Sequence, residues 1–416
     1  MRTLTVRMLE PCHLKKPGET PHPEFRPGGT RIASPTFRDY LNTIKALFKH
    51  HASPTNFPGL ISFNPSSHRQ INTPQMHILG IQNGSQNGNS SILLKAALLS
   101  AQKADPTITT SYIHIQSVSI PRNPVPLPAA ASTNTGIVPT SNNIPSPIYP
   151  VPDDREAVRN AILDANALIF SSAVYSHQPP GALKAVLDTI LGPFADASMA
   201  HRFAAGQARG DERYADAKFD PRLLRHRVVG FMAVAGSPFL SQITMALPTL
   251  HQMPYCLHAK VVDQIVFRGF AVPGAVLLDE AKTVRRAEVL GRNVVSQMGK
   301  SFDEAVFLGE RREGDCPFCH LSTIEVDYTR GNEIGCITCG HRGRLVVGDD
   351  GRIGPKWDEG EKESCITMAG KEKHQDDIMG AVAGELKKIE TVKEKKEEWD
   401  RVSIPRAQIP SLDAKL

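Results

Sequence analysis

Apolar runs of strand length alternate with amphipathic segments through much of this chain. Five runs have the length and flanks of strands: residues 76–82, 112–120, 167–174, 227–235 and 260–267, of which 112–120 alternates apolar and polar residues. Five segments carry apolar residues at helical spacing: residues 90–102, 155–165, 183–190, 243–252 and 278–298. In the first helix, five residues are expected on the buried side: Ile92, Leu93, Ala96, Ala97 and Leu99. Strands alternating with helices predict an α/β fold, a doubly wound five-stranded parallel sheet covered on both faces.

The rest of the chain divides into units of different composition. In chain order we predict an irregular extension (1–75), the α/β domain (76–300), a cysteine module (313–348) and a charged tail (349–416). Two insertions interrupt the domain: residues 121–152 are rich in Pro, Ser and Asn, and residues 194–225 are polar and charged. Residues 37–50 in the extension and 371–401 in the tail predict helices, the second of them solvated.

Composition narrows the class of protein and its surroundings. The 416 residues carry a formal net charge of +5, too mild to indicate nucleic-acid binding by itself. No apolar run approaches the roughly 20 residues of a membrane span, so we expect a soluble, cytoplasmic protein with no membrane partner. An acid-poor N-terminus is also typical of mitochondrial transit peptides, but Pro and Gly within residues 17–29 interrupt an amphipathic helix and favour a disordered extension.

Four of the seven cysteines form two CxxC pairs, Cys316 with Cys319 and Cys336 with Cys339. The sixteen residues between the pairs suit a hairpin that brings both pairs to one Zn²⁺. Four thiolates leave no coordination position for catalysis, so the predicted zinc is structural. A rubredoxin-like iron centre and two redox-active CxxC pairs are the alternatives. The module has too little aromatic and basic interleaving for a nucleic-acid-binding ribbon, and we expect no nucleic-acid partner.

The loop after the first predicted strand has the composition of an anion site. Residues 82–91 read QNGSQNGNSS and lead into a helix, whose N-terminus favours an anion. Small and amide residues let backbone N–H groups surround a phosphate, and four side chains are candidate neutral donors: Asn83, Ser85, Asn89 and Ser90. The absence of G-x-G-x-x-G argues against dinucleotide binding in that style. A turn without a ligand is the alternative.

The loop after the third strand resembles the flavin-contacting loop of the flavodoxin-like NAD(P)H-dependent FMN reductases. The family pattern, S-P-V-Y followed by L-K-x-x-x-D, falls on Ser172, Ala173, Val174, Tyr175, Leu183, Lys184 and Asp188, with Ala173 in place of the usual Pro. The first loop is similar to the family's G-S-x-R-x-N-G-N-T phosphate loop, with Ser85 in place of the Arg. A phosphate would then be held mostly by neutral donors.

The resemblance extends beyond these two loops. Gly236 and Ser237 stand where the family has a glycine-rich turn beside the flavin ring, and 290–292 matches its last helix. Some members carry a zinc ribbon and then an S-R-x-T-x-x-G-K-x-x-H segment, which falls here on Ser364, Cys365, Thr367, Gly370, Lys371 and His374. The motifs occur in family order over about residues 76–380, which indicates the subgroup with a C-terminal zinc ribbon.

The resemblance implies a flavodoxin-like FMN oxidoreductase. NADPH or NADH reduces the flavin, which then reduces a small aromatic or quinone-like acceptor; the two insertions suggest a specialised acceptor in secondary metabolism. Phosphate falls to Asn83, Ser85, Asn89 and Ser90. The ring falls to Val174, Tyr175, Ser176, His177, Gly236 and Ser237. His177 is also a candidate proton donor to the acceptor, with a loop residue of no such role as the alternative, and no other catalytic acid or base is assigned. Family members often dimerise across the flavin edge, so a homodimer is expected.

Three other functions stay open at this point. A flavodoxin-type electron carrier is one, although carriers of that kind are usually strongly acidic for docking to basic partners. A redox-neutral FMN enzyme is the second. The third is a non-enzymatic zinc-ribbon scaffold or nucleic-acid-binding protein whose α/β domain has lost its flavin, an alternative that the missing phosphate-loop Arg keeps open.

Overall fold

The computed structural model describes residues 75–121, 152–192, 195–360 and 364–405. Its strands in the first part are β1 (His77–Asn83), β2 (Thr109–His114), β3 (Ala167–Ala173), β4 (Val228–Ala235) and β5 (Lys260–Arg268). They form one sheet in the order β2-β1-β3-β4-β5, and every pairing is parallel. The predicted doubly wound, five-stranded parallel sheet is confirmed.

Helices cover both faces of this sheet. They are α1 (Asn89–Ala104), α2 (Arg155–Asp164), α3 (Ala182–Thr189), α4 (Ala197–Ala208), α5 (Ala246–His251) and α6 (Val284–Gln297). On one face α1 and α6 bury a core that includes Leu93 and Leu290. On the other, α2, α3 and α5 pack around Phe170 and Phe231, whose ring centroids are 5.7 Å apart. Strands β1, β3 and β4 are buried along almost their whole length, which explains why they read as apolar runs, whereas β2 at the edge of the sheet is partly exposed.

Helices α1 and α6 are in backbone contact at Gly291. A Cβ placed on Gly291 would lie only 2.1 Å from the carbonyl oxygen of Ala97. The neighbouring Arg292 donates to the Ser100 hydroxyl at 2.9 Å. The Leu-Gly-Arg motif therefore has a packing role. The glycine lets the two helices approach each other, and the arginine links them by a hydrogen bond on their solvent-exposed side.

Two sequence expectations about the α/β domain differ from the structure, and one insertion gains a defined element. Leu99 is 67% exposed, whereas its neighbour Leu98 is buried, because the buried stripe of α1 follows Leu94 and Leu98, one residue out of phase with the expected one. Strand β2 ends six residues before residue 120, where a 3₁₀ turn at Ile115–Ser117 redirects the chain. The insertion at 194–225 contains helix α4, which Asp196 caps through the N–H groups of its first turn.

The cysteine module folds as a second, antiparallel sheet. Its strands are β6 (Ile324–Asp327), β7 (Glu333–Cys336), β8 (Arg342–Val347) and β9 (Ile353–Trp357), paired in that order. The Trp357 indole donates to the Gly314 carbonyl oxygen at 3.1 Å, which closes the last strand onto the start of the module. The sheet thus continues past residue 348 into the segment that we assigned to the tail.

The charged tail begins as a docked helix. Helix α7 (Met368–Leu386) starts at Thr367, whose hydroxyl accepts from the Gly370 N–H, and α8 (Lys393–Arg401) follows. Gln375 donates to the Ser198 hydroxyl of α4, and Arg202 of α4 pairs with Asp376 at 2.8 Å. The expectation of a solvated helix is wrong for this first part, where Lys371 is 2% exposed, and holds for α8.

The predicted helix at 37–50 and most of the insertion at 121–152 lie outside the described residues. Within the described ranges, no helix combines the length and the apolar character that a membrane crossing requires.

Candidate active site and cysteine cluster

The predicted cofactor residues lie at one end of the parallel sheet. Strand β1 sits between β2 and β3, so the chain leaves β1 toward one edge of the sheet and returns to the other side of it. The loops that follow β1 and β3 diverge at this point and leave a crevice at the carboxyl ends of the strands. In open α/β sheets this crevice is where ligands bind.

The loop after β1 presents a series of backbone N–H groups without partners. Within the described residues, the N–H groups of Ser85, Gln86 and Asn87 make no hydrogen bond, nor do those of Asn89 and Ser90 at the start of α1. Helix α1 has no side-chain cap and no acidic residue in its first turn. Unpaired N–H groups and an uncapped helix N-terminus together fit an anion such as a phosphate monoester. We call residues 84–90 the phosphate loop.

Gly84 lets the phosphate loop close onto the start of α1. A Cβ on Gly84 would lie 2.5 Å from the Ser90 hydroxyl oxygen and 3.3 Å from the Cβ of Ala173. The Gly88 N–H donates to the Ser85 carbonyl oxygen at 2.9 Å, which turns the loop into the helix. The cradle is therefore compact, and a side chain at position 84 would fill it.

Two of the predicted phosphate ligands have side chains that bind protein groups. The Asn83 amide donates to the Ser172 hydroxyl at 3.2 Å and to the Pro180 carbonyl oxygen at 3.1 Å. The Asn89 amide donates to the carbonyl oxygens of Phe270 and Val272, both at 3.0 Å. Asn83, just before the phosphate loop, and Asn89 within it thus connect this loop to the loops after β3 and β5. Of the other two predicted ligands, Ser85 is exposed and Ser90 is buried beside Gly84.

Two residues that the sequence analysis did not select hold the phosphate loop from outside. Gln82, the penultimate residue of β1, donates to the carbonyl oxygens of Gly84 at 3.3 Å and Ser85 at 2.8 Å. Nε2 of His114, the last residue of β2, is 2.7 Å from the same Gly84 oxygen. For Gln82 the signal in the sequence was a polar residue at the end of the first predicted strand. His114 lies inside the second predicted strand, 112–120, so its place at a strand end came only from the structure.

The loop after β3 contains a tight turn with an unusual backbone. Tyr175 and Gln178 exchange N–H to carbonyl bonds at 2.9 and 3.1 Å. The two residues between them, Ser176 and His177, have φ angles of 48° and 73°. Non-glycine residues in this left-handed region are strained, and such strain concentrates at functional sites. The turn leaves Tyr175, Ser176 and His177 exposed at the crevice.

The loop after β4 packs against both neighbouring loops. The Val174 N–H donates to the Val234 carbonyl oxygen at 2.9 Å, and the Met245 N–H donates to the His177 carbonyl oxygen at 3.2 Å. A Cβ on Gly236 would lie 3.2 Å from Ala271, so this glycine permits close contact with the loop after β5. The structure therefore gathers residues 83–90, 174–177 and 236–237 at one end of the sheet.

An apolar surface borders this crevice. It comprises seven side chains, 37% to 88% exposed, on the loops after β3, β4 and β5: Tyr175, Phe239, Leu240, Met245, Val272, Leu277 and Leu278. Phe239 is 68% exposed and Leu278 is 88% exposed. Contiguous exposed apolar groups usually mark a binding surface. We call these seven residues the apolar rim.

The four cysteines of the CxxC pairs converge in the interior. Their sulfur atoms all lie within 4.8 Å of one another, with Cys316 to Cys339 at 3.5 Å and Cys319 to Cys336 at 3.4 Å. Four sulfurs about 2.3 Å from a shared ion in a tetrahedron have separations of this size. The arrangement fits a zinc ribbon.

The cysteine cluster is fastened to the parallel sheet by Gln264 of β5. Its amide donates to the carbonyl oxygens of Cys319 at 2.9 Å and His320 at 3.1 Å, and its own oxygen is 2.7 Å from Nε2 of His251 in α5. Burial lowers the pKa of His251 to about 4, so the imidazole is neutral and donates from Nε2. The ribbon and the α/β domain therefore share a buried polar junction.

Comparison with known proteins agrees with this geometry. A family model described as NADPH-dependent FMN reductase matches residues 76–271. The chain is 34% identical over 312 residues to "Flavone synthase cfoJ" of Aspergillus candidus, an alignment that covers 73% of this chain and 88% of that protein. A solved structure described as "flavone reductase" is 23% identical, covers 81% of this chain and 100% of its own, and superimposes with a TM-score of 0.61. The chain belongs to the NADPH-dependent FMN reductase family.

Proposed function

We propose that this NAD(P)H-dependent FMN oxidoreductase exchanges hydride with a planar aromatic substrate of the flavone class, in secondary metabolism. One observation carries the proposal: a cradle of unpaired N–H groups lies at the same end of the sheet as an exposed apolar rim. The cradle suits the phosphate of FMN, and the rim suits a flat, weakly polar molecule. The names of the flavone synthase and flavone reductase relatives motivate the choice of substrate class.

FMN, when bound, supplies hydride transfer between nicotinamide and the second substrate. For its phosphate we propose the backbone N–H groups from Ser85 to Ser90, with the hydroxyls of Ser85 and Ser90 as additional donors. Asn83 and Asn89 act on the shape of the site through the loops that their amides join. The neutral character of this cradle follows from Ser85, which stands where the family pattern has Arg.

The ring of the cofactor is assigned to the strained turn and the loop after β4. Tyr175 and Ser176 come from the strained turn, and Val174 is the residue just before it. Gly236 and Ser237 come from the loop after β4. Close backbone approach is available at Gly236, which has no side chain. Tyr175 is 55% exposed and offers an aromatic face to a flat ligand.

His177 is the proton donor that we propose for the second substrate. Its imidazole is exposed on the turn at the crevice, and its carbonyl oxygen is fixed by the Met245 N–H. Reduction of a carbon–carbon double bond needs one hydride and one proton, and an imidazole within hydrogen-bond distance of the substrate can supply the proton.

We propose that the cysteine cluster binds one Zn²⁺ with a structural role. Cys316, Cys319, Cys336 and Cys339 provide four sulfur ligands, so the ion has no position left for substrate. We also propose a homodimer that covers part of the apolar rim. Size-exclusion chromatography with light scattering tests the dimer, and metal analysis of the purified protein tests the zinc.

Anaerobic absorbance titration with NADPH and then NADH tests the central claim. A bound flavin whose visible absorbance bleaches supports the proposal, and the more efficient reductant identifies the preferred nicotinamide. Flavin that stays oxidised contradicts it and favours an electron carrier or a redox-neutral enzyme. Failure to bind FMN at all also contradicts it.

Turnover with flavone probes tests the substrate class. The NADPH-reduced protein is mixed with a flavone, and the oxidised holoprotein with the matching flavanone, both without oxygen. Gain or loss of two hydrogen atoms, followed by mass spectrometry, supports the proposal. Reduction of simple quinones with no reaction of either flavonoid contradicts the substrate class and leaves the oxidoreductase assignment intact.

A further inference from the structure

We infer that His114 is a positioning residue for the FMN phosphate, acting through the carbonyl group of Gly84. The inference rests on the proposed phosphate loop and goes beyond it, because His114 lies outside that loop and on a different strand. Its basis is a set of bonds to carbonyl oxygens on the side of the loop that faces the sheet.

Because a peptide group is planar, the hydrogen bonds that hold these carbonyl oxygens also set the direction of the N–H groups in the same peptides. In a trans peptide the carbonyl and the N–H point to opposite sides of the chain. The Gly84 carbonyl belongs to the peptide that carries the Ser85 N–H, and the Ser85 carbonyl to the one that carries the Gln86 N–H. Holding those two oxygens toward the strands therefore turns the Ser85 and Gln86 N–H groups away from the strands, where an anion can meet them.

The two oxygens share the Gln82 amide as a donor, and each has one further donor. The Gly84 oxygen accepts from His114 Nε2 at 2.7 Å and from the Gln82 amide at 3.3 Å. The Ser85 oxygen accepts from the Gln82 amide at 2.8 Å and from the Gly88 N–H at 2.9 Å. At Gly84 the shorter bond comes from His114, so loss of the imidazole releases this peptide more than the next one.

The orientation of His114 is itself fixed. A carbonyl oxygen only accepts, so Nε2 carries a proton and donates. Nδ1 contacts the Ser117 hydroxyl on the 3₁₀ turn after β2. His114 is also the register partner of Gln82 on the neighbouring strand, so the two loop-holding side chains come from adjacent strand ends.

This arrangement gives the protein a way to bind phosphate without the arginine of the family pattern. Preorganised N–H groups need no rearrangement when the anion arrives, so affinity is gained by lowering the ordering cost of the loop. This gain in affinity applies only to ligands that carry the phosphate. His114 should therefore control the preference of the protein for FMN over riboflavin, which has the same ring and no phosphate.

The test is flavin titration of the apoprotein, with fluorescence quenching as the readout. FMN and riboflavin are each titrated into the wild type, His114→Ala, His114→Gln and Ser117→Ala. Loss of one hydrogen bond that orders the site predicts a rise of about tenfold in the Kd for FMN in His114→Ala. The Kd for riboflavin should be unchanged. His114→Gln keeps a side-chain N–H donor and should recover part of the FMN affinity, and Ser117→Ala should weaken FMN binding less than His114→Ala.

His226→Ala is the control, because this exposed histidine precedes β4 at the opposite end of the sheet. Equal weakening of FMN and riboflavin in His114→Ala, or no change in either, overturns the inference while leaving the proposed function in place. If His114→Ala does not fold, an unchanged FMN-to-riboflavin Kd ratio in both His114→Gln and Ser117→Ala overturns it. A wild type that binds no FMN overturns the proposed function itself.

Discussion

The ammonium nitrogen of Lys371 lies 3.0 Å from Nδ1 of His258 in the interior beneath α7. It also donates to the Ile366 carbonyl oxygen at 3.1 Å and lies 5.0 Å above the centre of the Tyr255 ring. Burial lowers the pKa of His258 to about 3, so its imidazole is neutral and accepts from the lysine. The start of the charged tail is therefore anchored by a buried lysine.

Lys371→Met should abolish a distinct pH dependence of stability. Burial lowers the pKa of Lys371 from 10.5 to about 8. Between these pH values the unfolded chain holds a proton that the folded chain has lost, so the free energy of unfolding rises with pH. The full increment is of order 3 kcal/mol. Urea unfolding at pH 7.5 and pH 10 should show a gain in the wild type that is about 2 kcal/mol larger than in Lys371→Met.

Lys373→Met is the matched control for this experiment, because Lys373 is exposed on the same helix. It should keep the wild-type gain between the two pH values. An equal gain in Lys371→Met and the wild type would show that the buried ammonium does not carry this pH dependence.

Gly291→Ala should destabilise the α/β domain. The added methyl group would lie 2.1 Å from the Ala97 carbonyl oxygen, which forces α1 and α6 apart and disturbs the core between them. We expect a loss of about 2 kcal/mol or more in the free energy of unfolding. Gly380→Ala is the helical control: nothing lies within 4 Å of its Cβ, so it should gain about 0.5–1 kcal/mol from helix propensity alone. Equal effects of the two substitutions would contradict the close helix contact.

Cys319→Ser should release the metal and loosen the ribbon from the sheet. The carbonyl oxygens of Cys319 and His320 accept from the Gln264 amide, so local unfolding of the ribbon also leaves this buried amide without its two acceptors. Metal analysis should find one zinc per chain in the wild type and in Cys365→Ser, and less in Cys319→Ser. Thermal unfolding should show a lower Tm for Cys319→Ser and for chelator-treated wild type. A chelator that removes zinc without lowering Tm would contradict a structural role.

His177→Gly should stabilise the protein and slow turnover. Glycine accepts a φ of 73° without the strain of about 1 kcal/mol that a side chain brings there. Loss of a general acid reduces the rate of the acceptor half-reaction by about 10²-fold or more. Stopped-flow kinetics of that half-reaction, with urea unfolding in parallel, measure both effects. Ser176→Gly is the control for the stability change alone, and unchanged turnover in His177→Gly would remove the imidazole from the mechanism.

The parallel, doubly wound sheet could be anticipated because burial on both faces leaves a strong mark in the sequence, whereas the order of its strands came from the structure. Strands such as β3 and β4 are apolar along almost their whole length, and the amphipathic helices between them have a different period. The convergence of Cys316, Cys319, Cys336 and Cys339 was also predictable, since spacing alone lets two CxxC turns share one ion. Family membership followed from the order of the motifs.

Other features depend on which groups the fold brings together. Asn83 and Asn89 have side chains suited to bind phosphate, but their amides donate to carbonyl oxygens that are 97 and 181 residues away in the sequence. His114 meets Gly84 only because β2 and β1 are neighbours in parallel register. The charged sequence around Lys371 predicts a solvated helix, but docking of α7 onto the domain buries this lysine.

Local composition and periodicity thus determined the elements, and short motifs with their order indicated the family and the four-cysteine cluster, because each element and each motif depends on residues close together in the chain. The tertiary structure decided which polar side chains are exposed at the crevice and which bind other groups of the protein. A hydrogen-bonding group has the same chemistry in either role, and only the position of its partner in space distinguishes them.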